Sequence, residues 1–464
     1  MAVCLVIAAC GEPAAKPTPK APVAAPATAP VEAAPEPVAL PDTAAGKQLA
    51  WILAAINEPE NKPTDADLKA HFNDRFLAAV PVAKMHAVID GLAAIGPLVV
   101  TEIDLQSSAT SMVVSATAAG KAFKISIAVE QAPPHKIASL FFANQVEPRS
   151  DIHSVDELIA AVDAEAARAG IYMARIENGR CQDVVADDAG EMFALGSAFK
   201  LYVLSALVQA VEDGRVRWDQ PVTIRDDWKS LPSGTTQNVA AGTKMTVRAL
   251  AEKMISISDN TATDHLIHTL GRKRIEAAVV RSGHPEPARM KPFSTTRELF
   301  ILRAAPADEV ARYAKMPVAK KRAFLDKVID KRPLPDLKSL LSAWTKPRDI
   351  DTVEWFASGK GLCQLMAGFQ AHRDEPAYKP ALEILAKNPG VELPPEIWPY
   401  IGFKGGSEPG VLTLNWLLRR KDGGWYFLSL LYNDGDKVIG PGAISLAPAA
   451  ARLLAGVPPS SPAH

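Results

Sequence analysis

One short stretch constrains this chain more than any other. Residues 193–200 read Phe-Ala-Leu-Gly-Ser-Ala-Phe-Lys and run directly into the apolar segment 201–211. A segment that is apolar nearly all round predicts a helix buried in the middle of its domain. Ser197 and Lys200 stand three positions apart at the predicted start of this helix, so their side chains share one face of its first turn. The lysine could there accept the proton of the serine hydroxyl.

Two further motifs follow along the chain. Residues 258–260 read Ser-Asp-Asn, and residues 404–407 read Lys-Gly-Gly-Ser on a predicted strand. A Ser-x-x-Lys pair alone arises by chance on the order of once in a chain of this length. Three motifs in the order serine–lysine, serine–asparagine and lysine–glycine are much more specific.

This motif set resembles that of the class A β-lactamases and penicillin-binding proteins. The spacing from Ser197 to Ser258 is also close to that family's, and the resemblance covers the C-terminal two-thirds of the chain. It implies an α+β fold in which an antiparallel sheet has helices on both sides. It also implies a serine hydrolase that works through an acyl-Ser197 intermediate on a β-lactam or a related small amide or ester.

The resemblance assigns four catalytic roles. Ser197 would be the nucleophile, placed at the positive end of the helix dipole. Lys200 would act as its base, because a second lysine nearby in a desolvated cleft, Lys404, would destabilise the Lys200 ammonium. Ser258 would pass a proton to the leaving nitrogen or oxygen.

Four more residues are assigned to substrate binding. Asn260 would hold the substrate amide, and the backbone N–H groups of Ser197 and Ser407 would form the oxyanion hole, with Gly405 and Gly406 between the motif lysine and Ser407. Gly405 departs from the family, which usually has Thr or Ser at this position to bind a β-lactam carboxylate. Ser407 could supply the missing hydroxyl.

A second departure concerns hydrolysis of the acyl-enzyme. The Glu-x-x-Leu-Asn motif that gives class A β-lactamases their second base has no match in this chain. Glu298 and Glu354 are the two candidates, and each is better explained as structural. Without this base the alternative functions are a penicillin-binding protein or sensor that turns over slowly, or a peptidoglycan DD-peptidase.

Other classes of protein are excluded or disfavoured by the sequence. The net charge of −1 argues against a nucleic-acid partner, and no Gly-x-Ser-x-Gly or His-Glu-x-x-His motif occurs. His265 and His268 share one helix face, but they have no third ligand beside them, so we expect neither a metal site nor any cofactor.

The N-terminus predicts export. Residues 5–10 read Leu-Val-Ile-Ala-Ala-Cys, which resembles a bacterial lipobox with Cys10 as the lipidated residue, although no Lys or Arg precedes the apolar run. Residues 1–9 would be the signal peptide, and the Ala/Pro-rich residues 10–45 would be an extended spacer. The protein would then be anchored by lipid to the bacterial cell envelope.

Residues 46–147 predict a small α+β domain. Helical patterns at 47–57, 65–80 and 82–95 precede strand patterns at 99–105, 112–116, 123–129 and 137–142. By pattern and position this domain resembles a cone of the steroid-isomerase or nuclear-transport-factor-2 (NTF2) type. Its strand aspartate, Asp104, is better explained as a surface residue than as a catalytic one.

Residues 148–464 predict the hydrolase domain. It would open with a helix at 155–169 and a hairpin of strands 171–176 and 181–186 around an Asn-Gly turn. It would close with strands 411–419 and 425–432 and a helix at 447–454. A segment at 303–348 that the family lacks is predicted to form two or three helices rich in Lys and Arg, with a solvated face favoured over a lid. Cys181 and Cys363 could pair or remain separate.

Overall fold

The structure is a computed structural model, and it describes residues 37–58, 60, 62–103, 107–119, 121–145, 149–231, 233–337, 340 and 344–458. The predicted lipidation site Cys10, most of the spacer, and Asp104 lie outside these residues. The chain forms two compact units that divide between Glu147 and Pro148. No helix in the described ranges is both long and apolar enough to cross a membrane.

The described part of the N-terminal unit contains four helices and a four-stranded antiparallel sheet of order β1-β2-β3-β4. Its elements are α1 (Ala44–Asn57), α2 (Asp65–His71), α3 (Asp74–Ala79), α4 (Val82–Ala93), β1 (Val99–Ile103), β2 (Ser111–Ala118), β3 (Lys121–Val129) and β4 (Ile137–Gln145). Alternate residues of β2 are buried, because one face of the sheet packs against the apolar sides of the helices.

The single helix predicted at 65–80 is wrong, since the structure has two helices there. Thr64 does cap the first helix, as predicted, in a capping box with Asp67. Between the helices Phe72 is extended, and the backbone N–H of Asn73 donates to the carbonyl of Ile137, while the Asn73 side chain caps the next helix. Pairing with a distant strand therefore interrupts a locally helical sequence. The resemblance to an NTF2-type cone remains a prediction.

The C-terminal unit has a five-stranded antiparallel sheet of order β11-β12-β13-β5-β6, with helices packed on both faces. Its strands are β5 (Arg168–Glu177), β6 (Arg180–Asp187), β7 (Phe193–Ala194), β8 (Pro221–Thr223), β9 (Lys244–Thr246), β10 (Phe356–Ala357), β11 (Tyr400–Glu408), β12 (Val411–Arg419) and β13 (Trp425–Asn433). This is the α+β arrangement that the sequence predicted.

Its helices divide between the two faces of the sheet. They are α5 (Val155–Asp163), α6 (Lys200–Glu212), α7 (Val247–Ser256), α8 (Asn260–Leu270), α9 (Arg272–Arg281), α10 (Thr296–Ala304), α11 (Ala307–Ala314), α12 (Val318–Phe324), α13 (Gly359–Ala371), α14 (Lys379–Leu385) and α15 (Gly442–Ala455). α6 is buried along most of its length inside the larger core, as its apolar sequence predicted. α5 and α15 cover the opposite face.

The predicted helix at 155–169 is too long. α5 ends at Asp163, and β5 begins at Arg168 because it pairs with β13 from Arg168↔Asn433 to Ile176↔Trp425. Gly170 lies inside this strand, where a Cβ would meet the ring of Phe193 at 3.1 Å, so the glycine serves close packing. Pairing with a strand over 250 residues away overrides the helical pattern here.

The structure shows how the two cysteines pair and where the charges of the basic segment lie. Cys181 and Cys363 form a disulfide that joins β6 to α13. The segment 303–348 contains α11, α12 and a π-helical turn at Leu325–Ile329, and its lysines at positions 320, 327 and 331 are exposed. Its arginines pair with acids instead, Arg322 with Glu276 and Arg332 with Glu309.

Candidate active site

Ser197 lies in a 3₁₀ turn, Gly196–Phe199, that connects β7 to α6. The preceding Gly196 has a φ of 50°, a conformation that favours glycine. On the other side of the turn, Phe199 stacks on Trp355 with ring centroids 3.6 Å apart. The serine is thus held on a tight turn between a short strand and a buried helix, and α6 begins at Lys200, about one turn after the start that the sequence predicted.

Lys200 is the centre of the site and is fully buried. Its Nζ lies 3.0 Å from Oγ of Ser197 and 3.0 Å from Oγ of Ser258. It also contacts the carbonyl oxygen of Ser258 and Oδ1 of Asn260, both at 2.7 Å. Three residues of the first two motifs therefore converge on one amine.

Lys404 completes the chain of polar groups. It lies on β11, where its Nζ is 3.1 Å from Oγ of Ser258 and also donates to the carbonyl of Gly405. Ser258 has a φ of 55°, a strained conformation for a residue with a Cβ, and this places its hydroxyl between the two lysines. The four residues predicted to be catalytic thus form one chain of hydrogen bonds, in the order Ser197, Lys200, Ser258, Lys404.

The electrostatics favour neutral lysines. Burial, together with the charge of Lys404, holds the pKa of Lys200 well below the ordinary value, against the opposing effect of Asp264 and Asp259. Burial lowers the pKa of Lys404 to about 7. A lysine must lose its proton before it can accept one from a serine, so both shifts are in the direction that general-base catalysis requires.

The Ser-Asp-Asn motif is held by its middle residue. Asp259 caps α8 and accepts hydrogen bonds from the backbone N–H groups of Thr235 and Thr236, at 2.7 and 2.8 Å. Asn260 accepts from Lys200 and donates from Nδ2 to the carbonyl of Leu231 at 3.1 Å. Asn260 therefore orients the lysine, while its predicted contact with the substrate amide remains a prediction.

The third motif packs directly against the serine turn. A Cβ on Gly406 would lie 2.1 Å from the carbonyl of Leu195 and 2.5 Å from the backbone nitrogen of Ser197. A Cβ on Gly196 would lie 3.0 Å from the backbone nitrogen of Ser407. The backbone of Gly405, Gly406 and Ser407 thus runs beside the turn that carries Ser197, where the resemblance expects the oxyanion hole.

Neither candidate for a second base contacts the cluster. Glu298 is fully buried, pairs with Arg272 at 2.6 Å and accepts from the backbone N–H of Thr295 in a capping box. Glu354 is also buried and accepts from the backbone N–H groups of Gly196 and Trp355. Within the described part of the chain, neither carboxylate has a hydrogen bond to the Ser197 hydroxyl or to either lysine.

A buried ion network supports the serine turn from behind, and no sequence motif predicted it. Arg303 of α10 contacts Glu354 at 3.4 Å and Glu408 of β11 at 2.5 Å. Burial raises the pKa of both carboxyls, and Arg303 opposes the shift. Because Glu354 accepts from Gly196 and Glu408 follows Ser407, this network ties both backbone segments of the site to α10.

Asp264 links α8 to α10 in a similar way. It is fully buried and accepts from the backbone N–H groups of Thr296 and Arg297, both at 2.8 Å. Burial raises the pKa of Asp264 to about 7. The hydroxyl of Thr296 in turn donates to Oγ of Ser230 at 2.8 Å, so the wall next to Asn260 is closed by hydrogen bonds.

The histidines do not form a metal site. His265 is satisfied through both ring nitrogens, by the carbonyl of Thr261 and the backbone N–H of Arg225, and His268 stacks on Trp228. A separate acidic group of Glu298, Asp326 and Asp330 has the spacing for a cation. There the guanidinium of Arg272 already contacts two of the three carboxylates, which supplies the positive charge.

Comparison with known proteins agrees with this geometry. Residues 153–312, which carry the first two motifs, match the family model described as the beta-lactamase enzyme family. Residues 40–133 match the model described as the N-terminal part of the ORF 12 gene product. No curated protein matches the chain significantly.

Several solved structures are similar to this chain. They include PBP-A (18% identity over 65% of this chain and 95% of that one, TM-score 0.44). The beta-lactamase from Sphaerobacter thermophilus DSM 20745 has 19% identity over 66% and 100%, with a TM-score of 0.46. The putative class A beta-lactamase PenP from Rhodopseudomonas palustris has 17% identity over 65% and 98%, with a TM-score of 0.46.

The family match rests on the same part of the chain that carries Ser197, Lys200, Ser258 and Asn260. In the structure these residues meet at the buried amine of Lys200, in a unit whose antiparallel sheet is flanked by helices. Through residues 153–312, the C-terminal unit of this chain is therefore similar to the β-lactamase-like serine hydrolase superfamily.

Proposed function

We propose that this protein hydrolyses β-lactams or related small amides and esters through an acyl-Ser197 intermediate. One observation carries the proposal: Nζ of Lys200, buried and with a lowered pKa, lies 3.0 Å from the hydroxyls of both Ser197 and Ser258. This is the distance over which a positioned base exchanges a proton with a nucleophile.

The reaction follows from the order of these groups. Neutral Lys200 accepts the proton of Ser197 as the hydroxyl oxygen attacks the substrate carbonyl, and backbone N–H groups beside Gly406 stabilise the oxyanion. Ser258, bonded to both lysines, donates its proton to the leaving nitrogen or oxygen and recovers one from the lysine pair. Water then attacks the acyl ester and releases a carboxylic acid and free Ser197.

A specific observation favours slow release of the acyl group as a second candidate function. Glu298 and Glu354 are both held by arginines and backbone N–H groups, so neither is available to activate a water at the ester. Penicillins should then form a long-lived adduct, as expected for a penicillin-binding protein or sensor. Substrates with better-exposed acyl esters should clear faster.

The test compares turnover with labelling. The protein is mixed with a chromogenic cephalosporin, a short-chain ester and a fluorescent penicillin, and intact mass is recorded within seconds beside steady-state rates. Ser197→Ala should remove all hydrolysis and all label. Ser256→Ala is the matched control, because that hydroxyl bonds to the carbonyl of Glu252 outside the cluster.

Each outcome assigns a function. Activity that survives in Ser197→Ala would remove the nucleophile from this scheme. Rapid penicillin turnover with no detectable adduct would make the protein an ordinary β-lactamase with another deacylating base. Release of D-alanine from a D-Ala-D-Ala peptide, without turnover of the other probes, would identify a DD-peptidase.

We further propose that the protein is exported and anchored by lipid on Cys10. The support is the lipobox-like sequence at residues 5–10 and the Cys181–Cys363 disulfide, a bond typical of oxidising compartments. Cys10→Ser should release the protein from the membrane fraction. If this variant still sediments with membranes, the anchor is elsewhere, and the basic segment 303–348 becomes the next candidate.

A further inference from the structure

A cavity lies in the C-terminal unit, and none of the four predicted catalytic residues lines it. It has a volume of about 620 Å³ and is bounded by the start of β6, one side of α6, the end of α9 and α13. Cavities of this size hold small organic molecules, and it is much larger than an inorganic ion requires. The proposed hydrolase chemistry makes no use of it.

Two arginines give this cavity its charge. Arg180 and Arg281 both line it, and among the described residues no aspartate or glutamate does. Arg180 is exposed at the first position of β6, and no described carboxylate lies within 4.0 Å of its guanidinium. Guanidinium groups bind carboxylates through paired N–H donors, so two of them in one cleft favour an anion.

Arg281 is held in place by a neutral group. Its Nε donates to Oε1 of Gln209 at 2.8 Å, and its Nη2 donates to the same oxygen. Nε2 of Gln209 donates in turn to Oγ of Ser205 at 3.3 Å. The arginine is therefore oriented by α6 without its charge being neutralised, and its Nη1 edge remains for a ligand.

Carboxylates near the cavity already have partners. Glu212 accepts from the hydroxyl of Tyr378 at 3.3 Å, and Glu375 bonds to Nδ1 of His372 at 2.7 Å. Both carboxylates are therefore directed to other side chains, and among the described residues neither forms an ion pair with Arg180 or Arg281. The two guanidinium groups thus keep donors for an anionic ligand.

The opposite side of the cavity is apolar and firmly fixed. Leu365 and Phe369 of α13 line it and are almost fully buried. The Cys181–Cys363 disulfide joins β6 to α13 at the cavity wall, and Nε2 of Gln364 donates to the carbonyl of Gly179 at 3.1 Å. Two cross-links therefore hold the arginine side and the apolar side together, so a ligand meets a site that is already formed.

We propose that this cavity is a binding site for a small organic carboxylate, with the carboxylate on Arg180 and Arg281 and the rest of the molecule in the cavity beside α13. The proposal does not depend on the chemistry of Ser197. Its failure and that of the proposed function are therefore separate results.

The probe is 3-phenylpropionate, with 3-phenylpropanol as the uncharged analogue, and binding to the full protein is measured by titration calorimetry. The Arg180→Gln/Arg281→Gln double variant should bind the acid at least about tenfold more weakly, because it removes the charged hydrogen bonds to the carboxylate. Both arginines are exposed, so the fold should be retained. Arg75→Gln, which removes an exposed arginine of the N-terminal unit, should bind normally.

Three results would overturn the proposal. The first is equal affinity in the double variant, and the second is equal affinity for the acid and the alcohol. The third is binding that is lost in Lys404→Ala but kept in the double variant, because this would place the anion in the catalytic cleft. Saturable binding that follows the two arginines and the carboxylate charge would establish the site.

Discussion

Gly406→Ala tests whether the third motif positions the nucleophile. The added Cβ would lie 2.1 Å from the carbonyl oxygen of Leu195, 2.5 Å from the nitrogen of Ser197 and 2.6 Å from the nitrogen of Ala198. All three atoms belong to the backbone, so no side chain can rotate to relieve the contact. The serine turn and β11 must therefore separate by roughly 1 Å, and a displacement of this size costs about 10²-fold in rate.

The assay is the rate constant for covalent labelling of Ser197, or for ester hydrolysis, measured beside thermal unfolding. Gly190→Ala is the matched control, because a Cβ there meets no atom within 4 Å. We expect Gly190→Ala to keep its rate and Gly406→Ala to lose about 10²-fold while remaining folded. A Gly406→Ala rate within threefold of the unsubstituted protein would show that the turn does not depend on this contact.

Three other predictions address the lysines and the buried ion network. Lys200→Ala should slow acylation by roughly 10²–10⁴-fold, the usual contribution of a positioned base, and a loss under tenfold in stopped-flow labelling would place the base elsewhere. Arg303→Met should lower the free energy of unfolding in urea by about 3–5 kcal/mol, because it leaves the carboxyls of Glu354 and Glu408 buried without their cation. Arg217 is exposed, so Arg217→Met should change the free energy of unfolding by no more than about 0.5 kcal/mol. Burial lowers the pKa of Lys404 to about 7, so between pH 7 and about 10 the unfolded chain binds more protons than the folded one. The free energy of unfolding should therefore rise with pH over this range. Lys404→Met should make this rise less steep, and equal slopes in the two proteins would contradict the pKa shift.

Much of the fold could be predicted because the local sequence patterns indicate the helices, strands and turns that form. The apolar run after Lys200 became the buried helix α6, and the Asn-Gly pair became the turn between β5 and β6. The predicted strand 411–419 has the same bounds as β12. In each case the local sequence and the tertiary environment favour the same structure.

Other elements were decided by distant parts of the chain. β5 takes residues 168 and 169 from a helical pattern because β13 supplies hydrogen bonds along its whole length. The pairing of Cys181 with Cys363 depends on β6 and α13 lying side by side. No local sequence pattern predicts the start of β5 or the disulfide, because the partners are far apart in the chain.

For the site, the sequence by itself determined which residues meet, and the tertiary structure determined what holds them. Three motifs in order indicated Ser197, Lys200, Ser258 and Lys404, which the structure brings together around two buried amines. Arg303 and Glu408 could not be found this way, because a buried ion pair is defined by burial and by partners from separate elements. The motifs indicate which side chains the chemistry requires. The low dielectric that lowers the pKa values of Lys200 and Lys404 arises only when the whole domain packs around the two lysines.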